Sequence, residues 1–273
     1  MDLTSLKGRR RSFLIALGVL ALVTLLLRAL ALITAFDAEI GYFKSDAALP
    51  VLTRVLEILA LAACFVPLFL FNKNELPVTH RPLNLAARIA AGLAAVCLLA
   101  AAVFLLPRLS TIPAPRVLVL LAAVLLAAGS LYFVFLLRVK EAAATPFGYA
   151  VILGAVLLLS ITYFDRYTQM NTPHKVSLHL SLLCVMVWML FELRAVLGIA
   201  KPRGLAVTSS LCLFYPGVCG GSNVIAFLAG SYRDPLYLMG DLVCLGIAVY
   251  VACRAASDLR YDMAISSEAE VTE

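Results

Sequence analysis

Polar side chains that could bind an ion or carry a proton occur inside long apolar runs of the sequence. An ionisable side chain at the centre of a bilayer costs roughly 2.5–3.5 kcal/mol on insertion scales, so such residues normally face a partner or water. A carboxylate there could carry a proton or bind a cation, and an arginine could hold an anion. The candidate ligand- or ion-binding residues are Arg28, Arg54, Glu57, Asn223 and Asp241.

Eight apolar runs are available to position these side chains. Hydrophobic residues make up 63% of the 273 residues and charged residues 14%, whereas a soluble domain carries roughly 25% charged residues. This composition excludes an ordinary soluble protein and a disordered chain. Runs of about 20 residues that consist of Leu, Ala and Val predict transmembrane helices and not alternating barrel strands. We expect spans at 12–35, 49–71, 84–106, 117–137, 148–164, 176–199, 205–229 and 236–256.

The predicted fold class is therefore all-α, a polytopic membrane protein with about eight transmembrane helices and both termini in the cytoplasm. Cytoplasmic loops are enriched in lysine and arginine, which sets the orientation. With the N-terminus inside, 14 of the 22 lysines and arginines are cytoplasmic, 6 are outside and 2 lie in the membrane. The first run predicts a retained helix and not a cleaved signal peptide. Residues 1–256 should form one transmembrane domain, and 257–273 a short mobile cytoplasmic tail.

The candidate residues share a depth in the membrane. At 1.5 Å per residue, Arg28 lies about 10 Å and Glu57 about 12 Å below the outer edge of their spans. Arg54 and Asp241 lie about 8 Å deep, and Asn223 about 9 Å. All of them fall in the outer half, which predicts a polar pocket that opens to the outside and is ringed by spans one, two, six, seven and eight. The expected rim residues of this pocket are Asp37, Glu39, Asp165, Arg166 and His179.

A structural interpretation of the same charges stays open. Arg54 and Glu57 are three residues apart and share a helix face, so they could neutralise each other. Arg28 could join them or extend towards the outer headgroups. Near the cytoplasmic end of span six, Glu192 and Arg194 predict an interfacial ion pair. In this alternative the charges are packing pairs and bind no ligand.

Span seven has two interpretations of its own. It contains Pro216 and the pair Gly220 and Gly221, all of which lower helix stability. A break at 216–221 would let Ser222 or Asn223 cap an outer half-helix, and the N-terminus of that half-helix would attract anions. The alternative is a continuous, kinked helix whose small residues permit close packing.

Two outer connections combine aromatic and polar residues. Residues 36–43 have the sequence FDAEIGYF, and residues 163–171 have the sequence YFDRYTQMN. Aromatic residues at this depth usually form an interfacial belt. A lid over the outer pocket is the alternative interpretation.

Several kinds of function lack their sequence motifs. The chain has no G-x-x-x-x-G-K-[ST], no H-E-x-x-H and no G-x-S-x-G, so we expect no P-loop ATPase, zinc protease or serine hydrolase. The seven cysteines form no C-x-x-C pair and lie in or beside the predicted spans, where apolar packing is their simplest role. We therefore expect no metal site, no cofactor and no nucleic-acid partner.

Three functions remain, in order of preference. The first is a small-solute or ion transporter or binding component, in which Glu57 or Asp241 couples protons or binds a cation and Arg28 or Arg54 holds an anion. The second is a non-catalytic sensory or accessory subunit of a membrane complex, and an intramembrane enzyme ranks last. The expected partners are the lipid bilayer, an unknown small molecule or ion, and a membrane protein or a second copy of the chain. The outer loops carry no N-x-[ST], which favours a bacterial cytoplasmic membrane.

Overall fold

Long helices make up most of the chain. The computed structural model describes residues 3–37, 40–71, 78, 83–112, 114–137, 141–165, 168–231 and 234–271; of 3–7, 141–142 and 259–271 it describes the backbone alone. Eight segments are long and apolar enough to cross a membrane, which confirms the all-α polytopic fold. The helices are α1 (Leu3–Thr34), α2 (Ala48–Cys64), α3 (Pro67–Leu70), α4 (Leu85–Leu105), α5 (Arg116–Leu137), α6 (Glu141–Phe164), α7 (Pro173–Val196), α8 (Pro202–Leu228) and α9 (Pro235–Val271).

Prolines and caps set several helix boundaries. Helices α3, α7, α8 and α9 each begin at a proline, whose missing N–H is not needed in the first turn. Pro67 separates α2 from α3, and the two helices together form the second span, Ala48–Leu70. Asn84 caps α4, because its Oδ1 accepts a hydrogen bond from Ala87 N at 2.8 Å.

Several spans begin earlier than we predicted, and the last helix is longer. Helix α6 begins at Glu141 and not at 148, so Pro146 lies inside it. The proline removes one hydrogen bond near the start of that helix, and the helix tolerates this loss. Helix α7 begins at Pro173 and not at 176. Helix α9 continues to Val271, so the segment expected to be a tail is helical from 257 to 271, while its mobility stays a prediction.

Helices α4 to α9 form a closed bundle. Each of these helices packs against the next one along the chain, and α9 returns to pack against α4. Helix α7 also contacts α9 across the bundle. Helix α1 packs on α8, and α2 packs on α1, so these two helices form an outer layer beside α8. The apolar core follows this division, with one cluster inside the α4–α9 bundle and a second between α1, α2 and α8.

A short hairpin closes the connection between α1 and α2. Strands β1 (Phe36–Asp37) and β2 (Tyr42–Phe43) pair antiparallel, and Gly41 adopts a φ of 79° in the turn. The ring of Phe36 meets the imidazole of His174 edge to face, with centroids 4.9 Å apart. The hairpin therefore covers the start of α7. We call this the hairpin end of the bundle; α1 and α8 end there, and α2, α7 and α9 begin there.

Helix α8 is continuous, so the break that we considered at 216–221 is not formed. Pro216 lies inside the helix, and Ser222 Oγ donates to Cys219 O of its own helix at 3.1 Å. Neighbouring helices cover α8 on three sides, from α1, α7 and α9. Such packing satisfies and confines the backbone around proline and glycine in a membrane helix. The alternative of close packing at small residues is the one that the structure shows.

Gly220 and Gly221 let two helices approach α8 closely. A Cβ atom at position 220 would lie 2.8 Å from the backbone oxygen of Asp241 in α9. A Cβ atom at position 221 would lie 2.6 Å from Leu25 Cδ1 in α1. The side chains of Asn223 and Asp241 can therefore meet between α8 and α9, because nothing larger than hydrogen separates the two backbones at Gly220.

We expect Gly220→Ala to lower the free energy of unfolding by about 1–3 kcal/mol, the usual effect of overpacking a core. The atom that the new methyl group would meet is backbone, which cannot rotate away as a side chain can. Thermal unfolding of the purified protein in a mild detergent would measure the change.

Gly217→Ala is the matched control one turn earlier on the same helix. A Cβ atom there would lie 3.6 Å from Ala248 Cβ, which is an ordinary contact. Alanine favours a helix over glycine by about 1 kcal/mol, so this variant should be as stable as the parent or slightly more stable. Equal stability of the two variants would contradict the close approach of α8 and α9.

Candidate functional site

Arg28 and Glu57 form an ion pair between α1 and α2. The Nη1 atom of Arg28 lies 2.5 Å from Oε1 of Glu57, and their side chains are 7% and 19% exposed. The hydroxyl of Tyr215 in α8 donates to the backbone carbonyl of Glu57 at 3.5 Å. The pair is thus held at the face where α1 and α2 pack on α8.

Asn223 and Asp241 form a second buried contact, between α8 and α9. The Nδ2 atom of Asn223 donates to both carboxylate oxygens of Asp241, each at 3.1 Å. Each residue is 1% exposed. The amide satisfies the carboxylate with hydrogen bonds but brings no charge to neutralise it.

The two contacts belong to one cluster. The positive charge of Arg28 acts on Asp241 as well as on Glu57. The imidazole of His174 in α7 lies beside Arg28 and Asn223 and is 2% exposed. We call Arg28, Glu57, His174, Asn223 and Asp241 the outer polar cluster; it joins side chains of α1, α2, α7, α8 and α9 near the hairpin end.

His174 was not among the predicted site residues, which included His179 instead. The two histidines are five residues apart, which separates them by about 140° around the helix. His179 therefore lies on the α6 side of α7, where its Nε2 is 3.0 Å from the hydroxyl of Thr162. The signal for His174 was its spacing, because it shares a helical stripe with the buried residues Ser181 and Trp188.

Arg54 lies apart from the outer polar cluster. It is exposed on the flank of α2, whereas the buried face of that helix carries Thr53, Ala60 and Cys64. Glu57 has its ion pair with Arg28, across two helices and not along one. The structure thus brings four of the five predicted ligand residues together and places Arg54 outside.

Three of the five predicted rim residues are described, and they lie on different elements. Asp37 is in strand β1, and Glu39 and Arg166 are not among the described residues. Asp165 is 6% exposed and accepts a hydrogen bond from the hydroxyl of Tyr237 at 3.1 Å. Lys175 Nζ donates to the backbone oxygens of Asp165 at 2.9 Å and Thr168 at 3.2 Å. These contacts hold the α6–α7 connection against α7 and α9.

One carboxyl at this edge has a perturbed pKa. Asp234 precedes α9, and its Oδ1 accepts a hydrogen bond from Leu236 N at 2.8 Å. Burial raises the pKa of Asp234, and the nearby Asp165 adds to the increase, while hydrogen bonds from backbone N–H groups oppose it. The residue acts as a helix cap.

A second ion pair lies towards the opposite end of the bundle. Arg254 Nη1 in α9 is 2.9 Å from Glu192 Oε1 in α7 and donates to the hydroxyl of Tyr250 at 3.0 Å. Glu192 is 0% and Arg254 5% exposed. Our prediction of an interfacial pair between Glu192 and Arg194 was wrong, because residues two apart on a helix do not face each other. Arg194 is exposed, and its guanidinium lies 5.5 Å from the ring of Phe191.

The outer polar cluster offers a guanidinium, two carboxylates, an amide and an imidazole within one buried region. In the described part of the chain, no three His, Cys, Asp or Glu side chains are grouped so as to hold a metal ion. Arg28, Asn223 and Asp241 are buried, so a ligand would reach them only after neighbouring helices or the hairpin move. No protein-family model matches the chain, and neither a curated protein nor a solved structure matches it.

Proposed function

We propose that this multi-pass membrane protein is a small-solute or ion transporter or a solute-binding component, with the outer polar cluster as its binding site. The observation that carries the proposal is that five helices contribute polar side chains to one cluster. In it, Arg28 lies about 9 Å from the end of α1, and Asp241 about 9 Å from the start of α9. Buried ion pairs are poor stabilisers compared with apolar side chains. Polar groups within membrane spans therefore mark functional sites by default.

The chemistry of the cluster supports recognition of a charged or strongly polar solute. Arg28 can hold an anionic group with its planar guanidinium, in competition with Glu57. On the side of α8 and α9, Asp241 can accept hydrogen bonds from a solute, and Asn223 can donate or accept them. The ring of Phe36 in the hairpin lies against His174, so movement of the hairpin would open a route from that end.

The proposed orientation follows from the sequence. The lysine and arginine bias places the hairpin end outside and both termini in the cytoplasm. Eight membrane-crossing segments bring the two ends of the chain to the same side. We propose the bacterial cytoplasmic membrane as the location.

A sensory or accessory subunit is the second candidate. The observation that favours it is the exposed outer layer of α1 and α2: 22% of the apolar stretch of each of their spans is buried, against 61% in the spans of α8 and α9. Such an apolar surface fits lipid and also fits the helices of another membrane protein. A protein that co-purifies in mild detergent would support this candidate.

Charge movement in reconstituted liposomes tests the transport proposal. Liposomes adsorbed on a solid-supported membrane would be exposed to steps of amino acids, organic acids, sugars and alkali cations. We expect one class to give a protein-dependent current, and Glu57→Gln and Asp241→Asn to reduce it at least about 10-fold, equivalent to losing roughly 1.4 kcal/mol of binding.

Asp46→Asn is the control. Asp46 is an exposed acid between the hairpin and α2, and it lies outside the outer polar cluster. It should leave the current unchanged. Currents that survive both cluster substitutions would remove Glu57 and Asp241 from the site. No current with any solute class, together with a co-purifying membrane protein, would favour the accessory subunit.

A further inference from the structure

The charges of the outer polar cluster do not balance. Arg28 supplies one positive charge, whereas Glu57 and Asp241 supply two negative charges when both are ionised. An uncompensated negative charge is costly where the carboxylate is buried, because the low-dielectric surroundings do not solvate it. One unit of positive charge is therefore missing from the cluster.

Asp241 is the carboxylate that lacks this charge. Glu57 forms the short ion pair with Arg28, and it is the more exposed of the two acids. Asp241 is 1% exposed, and its two oxygens accept hydrogen bonds from the neutral amide of Asn223. Arg28 attracts Asp241 from a greater distance, but a single guanidinium cannot neutralise two carboxylates.

The other titratable groups around Asp241 do not supply the charge. Cys219 on α8 and Cys244 on α9 interact with it, and neither thiol can be positive. His174 on α7 lies beside Arg28, where two positive charges would repel each other. Arg54 on α2 is exposed, where water or lipid headgroups can neutralise it.

Asn223 offers a second ligand atom. Its Oδ1 is buried, and the Asn223 side chain faces the imidazole of His174. An amide oxygen and a carboxylate are the hard oxygen ligands that small cations prefer. Rotating the side-chain amide of Asn223 by a half-turn would exchange Nδ2 with Oδ1, because the two atoms occupy similar positions. The oxygen would then point at Asp241.

We propose that Asp241, with Asn223 beside it, binds one small monovalent cation, either a proton or an alkali metal ion. Bound there, the cation neutralises the cluster. The inference deepens the proposed function and rests on it, because it identifies the bound or coupled ion of the same site. It selects Asp241 over Glu57, which the sequence left open as alternatives.

The experiment measures binding without transport. Thermal unfolding of the purified full chain in mild detergent would be followed in Na⁺, K⁺, Li⁺ and N-methylglucamine at constant ionic strength, and in each salt across a range of pH. If a metal ion binds, the unfolding midpoint should rise by about 2–4 °C for each tenfold increase above Kd. If a proton binds, the midpoint should instead fall as the pH rises, because the folded protein holds a proton that the unfolded chain releases.

Asp241→Asn should abolish whichever dependence the parent shows, and Asp46→Asn should preserve it. Infrared spectroscopy gives a readout that does not depend on unfolding: a carboxylic C=O band that is lost in Asp241→Asn identifies the proton. Should Asp241→Asn fail to fold, Asn223→Ala provides the second variant. It removes the amide oxygen and should weaken alkali-ion binding at least about 10-fold, roughly one hydrogen bond to a charged group. If a proton binds, the variant should move the pH dependence to higher pH, because losing a donor to the carboxylate favours the protonated form.

The proposal would be overturned by a midpoint that depends on neither alkali cations nor pH, or by a dependence that Asp241→Asn retains. Solute currents without any cation or proton dependence would remove this inference and leave the proposed function standing. A dependence at Asp241 without solute currents would do the reverse.

Discussion

Glu192→Ala is expected to lower the free energy of unfolding by about 3–5 kcal/mol, the usual loss when one partner of a buried ion pair is removed. Glu192 is 0% and Arg254 5% exposed, so the substitution leaves a guanidinium inside the bundle without the carboxylate 2.9 Å away. Tyr250 can still accept a hydrogen bond from Arg254 but carries no charge. The carboxylate of Asp258 is 35% exposed and lies 4.0 Å from Nε of Arg254, so it compensates the guanidinium only weakly. Titration with a denaturing detergent would measure the loss.

The double variant Glu192→Leu with Arg254→Met is the control for this prediction. It removes both charges and keeps the approximate volume, so most of the stability should return. Full stability of Glu192→Ala alone would mean that water reaches Arg254, and that the pair is not enclosed. A double variant as unstable as the single one would attribute the loss to packing around Trp188 and Tyr250, whose rings lie 5.9 Å apart.

The length and composition of the apolar runs were sufficient to predict the eight spans. A helix needs about 20 apolar residues to cross the hydrocarbon core, and neither soluble nor disordered proteins contain so many such runs. The same reasoning selected Arg28, Glu57, Asn223 and Asp241 as unusual, because polar groups in lipid are expensive. The depth of each of these residues along its run then placed all four near the same side of the membrane, and in the structure they lie near the hairpin end.

The pairing of these side chains could not be predicted from the sequence. Sequence spacing favoured Arg54 as the partner of Glu57, yet the ion pair joins Arg28 and Glu57, which are 29 residues apart. Which residues meet depends on the rotation of each helix about its axis, and several of these helices have apolar residues on all sides. An apolar run identifies a span but not the face that it buries.

The break considered in α8 and the pair of Glu192 with Arg254 show the same limit of local reasoning. Pro216 and the glycine pair lower helix propensity, but packing by three neighbouring helices determines the outcome. Glu192 and Arg254 belong to helices that are far apart in sequence and adjacent in the bundle. Tertiary contact decided both features.

Arg28→Met is expected to lower the free energy of unfolding by about 3 kcal/mol, the lower end of the range for a buried pair. Glu57 is 19% exposed, so water can solvate part of the charge that is left behind. Asp241 also loses the attraction of the guanidinium. Unfolding of the variant in mild detergent would measure the change.

The double variant Arg28→Met with Glu57→Leu separates a packing pair from a binding site. Removing both charges should restore most of the stability, because no uncompensated charge remains from the pair. If Arg28 and Glu57 serve only to hold α1 against α2, solute-dependent currents should also return. We expect stability to return and the currents to stay lost, since a methionine cannot hold an anionic group. A double variant that is both stable and active would show that the pair is structural and would confine the site to Asn223 and Asp241.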